Sequence, residues 1–238
     1  MASRQPSRAS QALHSMSLLD TIDIETAPNP TATVLVLHGL GADGNDFVPI
    51  ARELELRAAG PVRFVFPHAP VMPVTINNGY RMRAWYDILG SELVRREDEA
   101  GLRSSMAAVR ALLAREKQRG IAPERTVLAG FSQGCAMALL TGLRHEEQLA
   151  GIAGLSGYLP LAATTAQERS DANARTPVFM AHGTHDNVVP VERGRESCEA
   201  LRALGYDVQW HTYPMAHSVS MEEIKDLNTW LLKVLRAG

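Results

Sequence analysis

Short continuous apolar runs alternate with amphipathic stretches from residue 33 to the end of the chain. The runs fall at 33–37, 62–66, 126–129, 150–155 and 177–181 and are rich in apolar and β-branched side chains, and the more polar 208–213 reads as the last strand. Runs of that length and character fit strands buried on both faces. Between them, 47–56, 98–119, 135–143, 191–204 and 221–235 read as helices. The clearest is 98–119, where Leu102, Met106, Val109 and Leu113 fall on one face of a helical period and Gly120 supplies the stop. Two segments break the rhythm. Residues 67–97 form a long excursion that carries Val71, Met72, Val74, Ile76, Trp85, Tyr86 and Ile88, too much apolar surface for disorder; an excursion of that length is expected to serve function. Residues 162–175 are small and polar and read as a surface loop. Strands alternating with helices predict an α/β fold with a mostly parallel central sheet, helices on both faces and no large cap domain. In such sheets ligands bind beyond the carboxyl ends of the strands.

Composition narrows the class. The 238 residues suit one domain, expected over 16–238, and 45% hydrophobic content can build a large core. A formal net charge of −2 gives no nucleic-acid footprint. No apolar run approaches the roughly 18 residues of a membrane span. Cys135 and Cys198 read as packing residues in a reducing compartment, so a cytoplasmic location is expected. Residues 1–15 read as a disordered extension; the Arg4, Arg8 and serine content with no acid faintly resembles an organelle transit peptide, without the apolar core of a secretory signal.

The chemistry gathers at loops that follow strands. Gly130-Phe131-Ser132-Gln133-Gly134 lies between an apolar run and a helical one, the strand–turn–helix setting that lifts a serine above a sheet edge. Ser132 is the candidate nucleophile, and the Gln133 N–H, at a helix start, can donate to an oxyanion. The serine needs a base, and the base a carboxylate to fix its tautomer. His14, His38 and His68 precede the serine, His145 falls at or past the far end of the following helix, and His211 lies within a strand. His217 lies in the loop after the last strand and is the candidate base. Asp186 follows the 177–181 run and is the candidate acid; its rival Asp207 precedes a strand, at the wrong sheet edge. The Leu40 N–H, in the glycine-rich loop after the 33–37 run, is the candidate second oxyanion donor. Gly39, Gly41 and Gly44 also spell G-x-G-x-x-G, but no acidic residue ends the following strand, so no nucleotide cofactor is expected. His182, His185 and Asp186 lack the further ligand of a metal site, so no metal is expected. Val74, Trp85 and Val188 are candidate walls of a short apolar substrate groove.

These segments resemble those of the carboxylesterase, lysophospholipase and acyl-protein thioesterase family of α/β-hydrolases. The matching stretches are His38-Gly39-Leu40-Gly41-Ala42-Asp43-Gly44, Ala84-Trp85-Tyr86-Asp87, the 130–134 pentapeptide, Leu155-Ser156-Gly157-Tyr158-Leu159-Pro160, His182-Gly183 with Asp186-Asn187-Val188-Val189-Pro190, and Met215-Ala216-His217-Ser218. The resemblance implies an α/β-hydrolase fold, with Ser132, Asp186 and His217 as triad and Leu40 and Gln133 as oxyanion donors. It implies hydrolysis of small carboxylic esters or acyl thioesters without a cofactor, and often a homodimer. Short- to medium-chain carboxylic esters are the first expectation, with acyl-protein thioesterase or lysophospholipase activity as the alternative. A hydrolase fold kept as a binding module would be expected to lose a triad member, and a dienelactone hydrolase to carry Cys at position 132.

Overall fold

The computed structural model describes residues 18–90 and 96–236. The expectation for residues 1–15 lies outside the described residues. The chain runs β1 (Thr21–Glu25), β2 (Ala32–Leu37), α1 (Val48–Glu53), β3 (Val62–Pro67), β4 (Val71–Val74), β5 (Tyr80–Arg83), α2 (Glu99–Gln118), β6 (Thr126–Phe131), α3 (Gln133–Leu143), β7 (Gly151–Leu155), α4 (Ala162–Glu168), β8 (Val178–Gly183), α5 (Val191–Ala203), β9 (Val208–Tyr213) and α6 (Met221–Arg236). Seven strands form one sheet in the order β1-β3-β2-β6-β7-β8-β9. β1 is antiparallel to β3, and the other six strands run parallel.

Period-two alternation along each buried strand splits the core into two layers. Leu35, Val65, Leu128, Ile152 and Met180 face one side, where they pack with residues of α2, α3 and α5. Val34, Phe64, Val127, Ala153 and Phe179 face the other, against α1 and α6. Both faces are covered, which is why these strands read as continuous apolar runs.

Three elements differ from the sequence-based expectation. β1 precedes the first expected strand; it is an edge strand whose Ile22 and Ile24 pack inward while Thr21, Asp23 and Glu25 alternate with them. The 67–97 excursion contains a β4–β5 hairpin, turned through Asn78 (φ 54°) and Gly79 (φ 74°). The expected loop at 162–175 begins with helix α4. Buried Arg144 reaches across to the Leu161 carbonyl, the Thr164 and Thr165 hydroxyls and Glu168. That distant side chain, and no apolar stripe within the segment, anchors the helix.

The carboxyl ends of the strands meet at one edge. Leu37 of β2 pairs with Gly130 of β6, and Gly183 of β8 pairs with Tyr213 of β9. The loops that carry Leu40, Ser132, Asp186 and His217 therefore rise side by side.

Candidate active site

Ser132 sits between β6 and α3 with φ 57° and ψ −116°, in a region where a non-glycine residue is strained. Its neighbours make the turn feasible. A Cβ at Gly130 would strike the Gly134 carbonyl, and one at Gly134 the Leu37 carbonyl. Glycine at both positions lets the helix start cross the sheet edge closely. The Ser132 N–H donates to Leu155 O at 2.9 Å, tying the turn to β7.

The structure brings Ser132, His217 and Asp186 together. The Ser132 hydroxyl donates to His217 Nε2 at 2.9 Å. His217 Nδ1–H donates to Asp186 Oδ2 at 2.6 Å. A carboxylate only accepts, so this bond selects the tautomer that leaves Nε2 free to take the serine proton. Asp186 Oδ1 accepts the Val188 and Val189 N–H groups at 2.9 and 2.8 Å. The Asp186 side chain is fully buried, and the Phe131 ring lies 4.8 Å from the His217 ring. The arrangement can move a proton from a serine to an imidazole held by a carboxylate.

Gln133 opens α3, so its N–H is one of the first-turn amides that a helix leaves without an internal partner. His38 governs the other candidate donor. Ala69 N–H donates to its Nε2 at 3.0 Å, which leaves Nδ1–H to donate to Gly39 O at 2.7 Å. Burial holds the His38 pKa below its ordinary value and so keeps the ring neutral. With the Gly39 carbonyl turned to His38, the trans peptide directs the Leu40 N–H the opposite way. Gly44, the third glycine of the G-x-G-x-x-G pattern, lies against the Phe66 backbone, where a Cβ would come within 2.6 Å of the carbonyl oxygen. Its role is packing.

Two hollows meet at Ser132. The larger, about 790 Å³, is lined by Leu40, Tyr86, Tyr158, Leu159 and Val188 among others. Its Tyr86 and Tyr158 hydroxyls are 2.9 Å apart, and the Arg193 guanidinium lies 3.5 Å over the Tyr158 ring. The smaller, about 500 Å³, is lined by Leu40, Phe47, Phe131, Val188, His217 and Val219 among others. Val188 thus stands at the seam. Val74 and Trp85, expected as walls, line neither hollow. Both are buried in the protein, Val74 at the end of β4 and Trp85 just past β5. Trp85 donates its indole N–H to His38 O at 2.8 Å, beneath the Leu40 loop. Sequence reasoning missed the Gln133 side chain, which accepts Trp85 N–H and donates to Tyr86 O. Among the described residues no three His, Cys, Asp or Glu side chains are placed to hold a metal. His185 is exposed, while His182 is buried and bonded to Val189 O.

The strand order, the crossover connections and the strained serine turn define an α/β-hydrolase. The chain belongs to the phospholipase/carboxylesterase family, whose family model matches residues 22–235, and it is an enzyme of ester-bond hydrolysis. It is 45% identical over 218 residues to acyl-protein thioesterase 1 of Gibberella zeae, covering 88% of this chain and 93% of that protein. It is 42% identical to acyl-protein thioesterase 1 of Mycosarcoma maydis, covering 93% and 100%. The crystal structure of Arabidopsis thaliana SOBER1 superposes with a TM-score of 0.81 at 31% identity, covering 86% of this chain and 99% of that one. No helix among the described residues is long and apolar enough to cross a membrane.

Proposed function

We propose that the protein is a serine thioesterase and esterase that cleaves acyl thioesters, and the related carboxylic esters, through an acyl-enzyme. The observation that carries this reading is the hydrogen-bonded chain from Ser132 through His217 to Asp186. His217 Nε2 takes the Ser132 proton as Oγ attacks the acyl carbon, and Leu40 and Gln133 N–H groups face the oxygen that gains charge. The imidazolium returns the proton to the leaving sulfur or oxygen. Water then repeats the sequence, and the acid departs.

The proton transfer gives each hollow a use. The leaving atom must face His217, which lines the smaller hollow and not the larger. The leaving group therefore lies along Phe47 and Val219, and the acyl chain enters beside Tyr86, Tyr158 and Leu159. An apolar chain gains about 0.8 kcal/mol per buried methylene until it outruns the cavity. Sequence-based expectation put short- to medium-chain carboxylic esters first; relatives named acyl-protein thioesterase at 45% and 42% identity favour thioesters. A cytoplasmic location, a single domain over 16–238 and a homodimer belong to the same reading.

The test is kcat/KM for matched ester and thioester pairs of one acyl group, across increasing acyl length, with wild type and Ser132→Ala. Turnover of thioesters at least as fast as esters is expected, and none in the variant. Wild-type turnover in Ser132→Ala overturns the nucleophile; a preference for esters at every length returns the enzyme to the carboxylesterases.

A further inference from the structure

Behind the candidate triad lies a second histidine. His182 occupies the β8 strand, fully buried, four residues before Asp186. Its Nε2 is 2.8 Å from Val189 O and 3.5 Å from Asp186 Oδ2. A carbonyl and a carboxylate both only accept, so Nε2 carries the proton and Nδ1 the lone pair. That Nδ1 is buried with no hydrogen-bond partner among the described residues. Burial also holds the ring's pKa below its ordinary value, with Asp186 and Glu192 as the opposing carboxylates and His217 as a further charge acting with burial. The ring is neutral, and its one N–H faces the 186–189 loop.

The loop is clamped from both sides. Val189 donates its N–H to Asp186 Oδ1 and offers its C=O to His182. The ring itself cannot shift away. Trp210 lies 6.1 Å from it, centroid to centroid, and Gly194 of α5 packs so closely that a Cβ there would strike both rings. A residue needed only to fill space at this position could be apolar, and would spare the cost of a buried nitrogen without a partner.

We infer that His182 is a positioning residue for the reaction, acting through Asp186. Its Nε2–H holds the Val189 carbonyl and so the residue whose own N–H, with that of Val188, fixes the Asp186 carboxylate, and the carboxylate holds His217 in line with Ser132. Without that donor the Asp186–His217 bond loosens. The imidazolium formed during attack is then held less tightly, so kcat falls while binding in the hollows is untouched.

This inference rests on the proposed triad, and the experiment separates the two. Wild type, Ser132→Ala, His182→Leu, His182→Gln and His182→Asn are compared on one soluble thioester. Failure of wild type to turn over, or turnover by Ser132→Ala, overturns the triad. With the triad intact, His182→Leu should lower kcat at least tenfold with KM within twofold. It should also move the acid limb of the kcat/KM profile to lower pH and shift the low-field proton resonance of the His217–Asp186 bond. His182→Gln, whose amide nitrogen reaches the position of Nε2, should recover most of the rate; His182→Asn, a bond shorter, should not. A leucine variant that loses only thermal stability, with kcat, pH profile and resonance unchanged, overturns the inference. Should the leucine variant not fold, a glutamine variant no faster than the asparagine variant overturns it as well.

Discussion

The side chain of Gln133 holds Trp85, accepting its backbone N–H at 2.9 Å with Oε1. The same amide donates through Nε2 to Tyr86 O at 2.8 Å, so one residue of α3 pins the wall of the larger hollow. All of these groups are buried. Gln133→Ala leaves a buried N–H and a buried C=O without partners, each costing about 1–3 kcal/mol. Urea unfolding should show a loss of about 2–4 kcal/mol, on the scale of those two groups. The folded fraction should also discriminate acyl lengths poorly, because Tyr86 is no longer held. A loss below about 0.5 kcal/mol, the range of a neutral surface change, would mean that the wall is fixed by other contacts.

Ser132 allows strain and chemistry to be measured separately. At φ 57° and ψ −116° an L-residue carries of order 1–3 kcal/mol of backbone strain. Ser132→Ala keeps that strain and Ser132→Gly relieves it. Both variants should be inactive, and the glycine variant should be the more stable by about 1 kcal/mol despite its greater unfolded-state freedom. An alanine variant as stable as the glycine one would show that the turn is relaxed.

Val188 is 62% exposed and borders both hollows. A substitution at so open a position should leave stability within about 0.5 kcal/mol. Val188→Trp puts an indole at the seam, where it should narrow the entrance to the larger hollow. The expected result is a fall in kcat/KM for long acyl chains of tenfold or more, with short chains affected far less. A uniform fall across lengths would place the indole against the leaving group instead.

The candidate triad was legible because parallel topology puts every strand-following loop at one edge, so chain order alone separates His217 from His145 and Asp186 from Asp207. The two-layer core was legible for a related reason, since strands covered on both faces are apolar throughout. What escaped depends on distant partners. The Gln133 contacts span nearly fifty residues and have no local signature. Trp85 reads as a wall because it sits in an apolar loop, and its indole finds its partner on His38, 47 residues away. Helix α4 owes its order to Arg144, a residue of the preceding strand–helix unit. β1 is short and half polar, so its alternation is too brief to stand out from a terminal segment.

Glu223, in the first turn of α6, yields a prediction on stability. It is fully buried, and neither carboxyl oxygen has a hydrogen-bond partner in good geometry among the described residues. Burial pushes its pKa up to about 8, with the Ser220 backbone opposing. A helix N-terminus favours an anion by about 0.3–1 kcal/mol, too little to offset the desolvation. The folded protein therefore binds this proton more tightly than the unfolded chain, whose carboxyl has its ordinary value of 4.5. The stabilisation is complete below that value and is lost as pH rises towards about 8, at no more than about 1.4 kcal/mol per pH unit. Glu223→Gln keeps the shape and removes the ionisation. Its unfolding free energy should match wild type at the acid end, exceed it by a few kcal/mol at the alkaline end, and fall less steeply with pH between them. Urea titrations of both proteins at intervals across that window measure the difference. Parallel curves would mean that Glu223 is ionised in the folded protein across the whole range, held by a partner such as buried water.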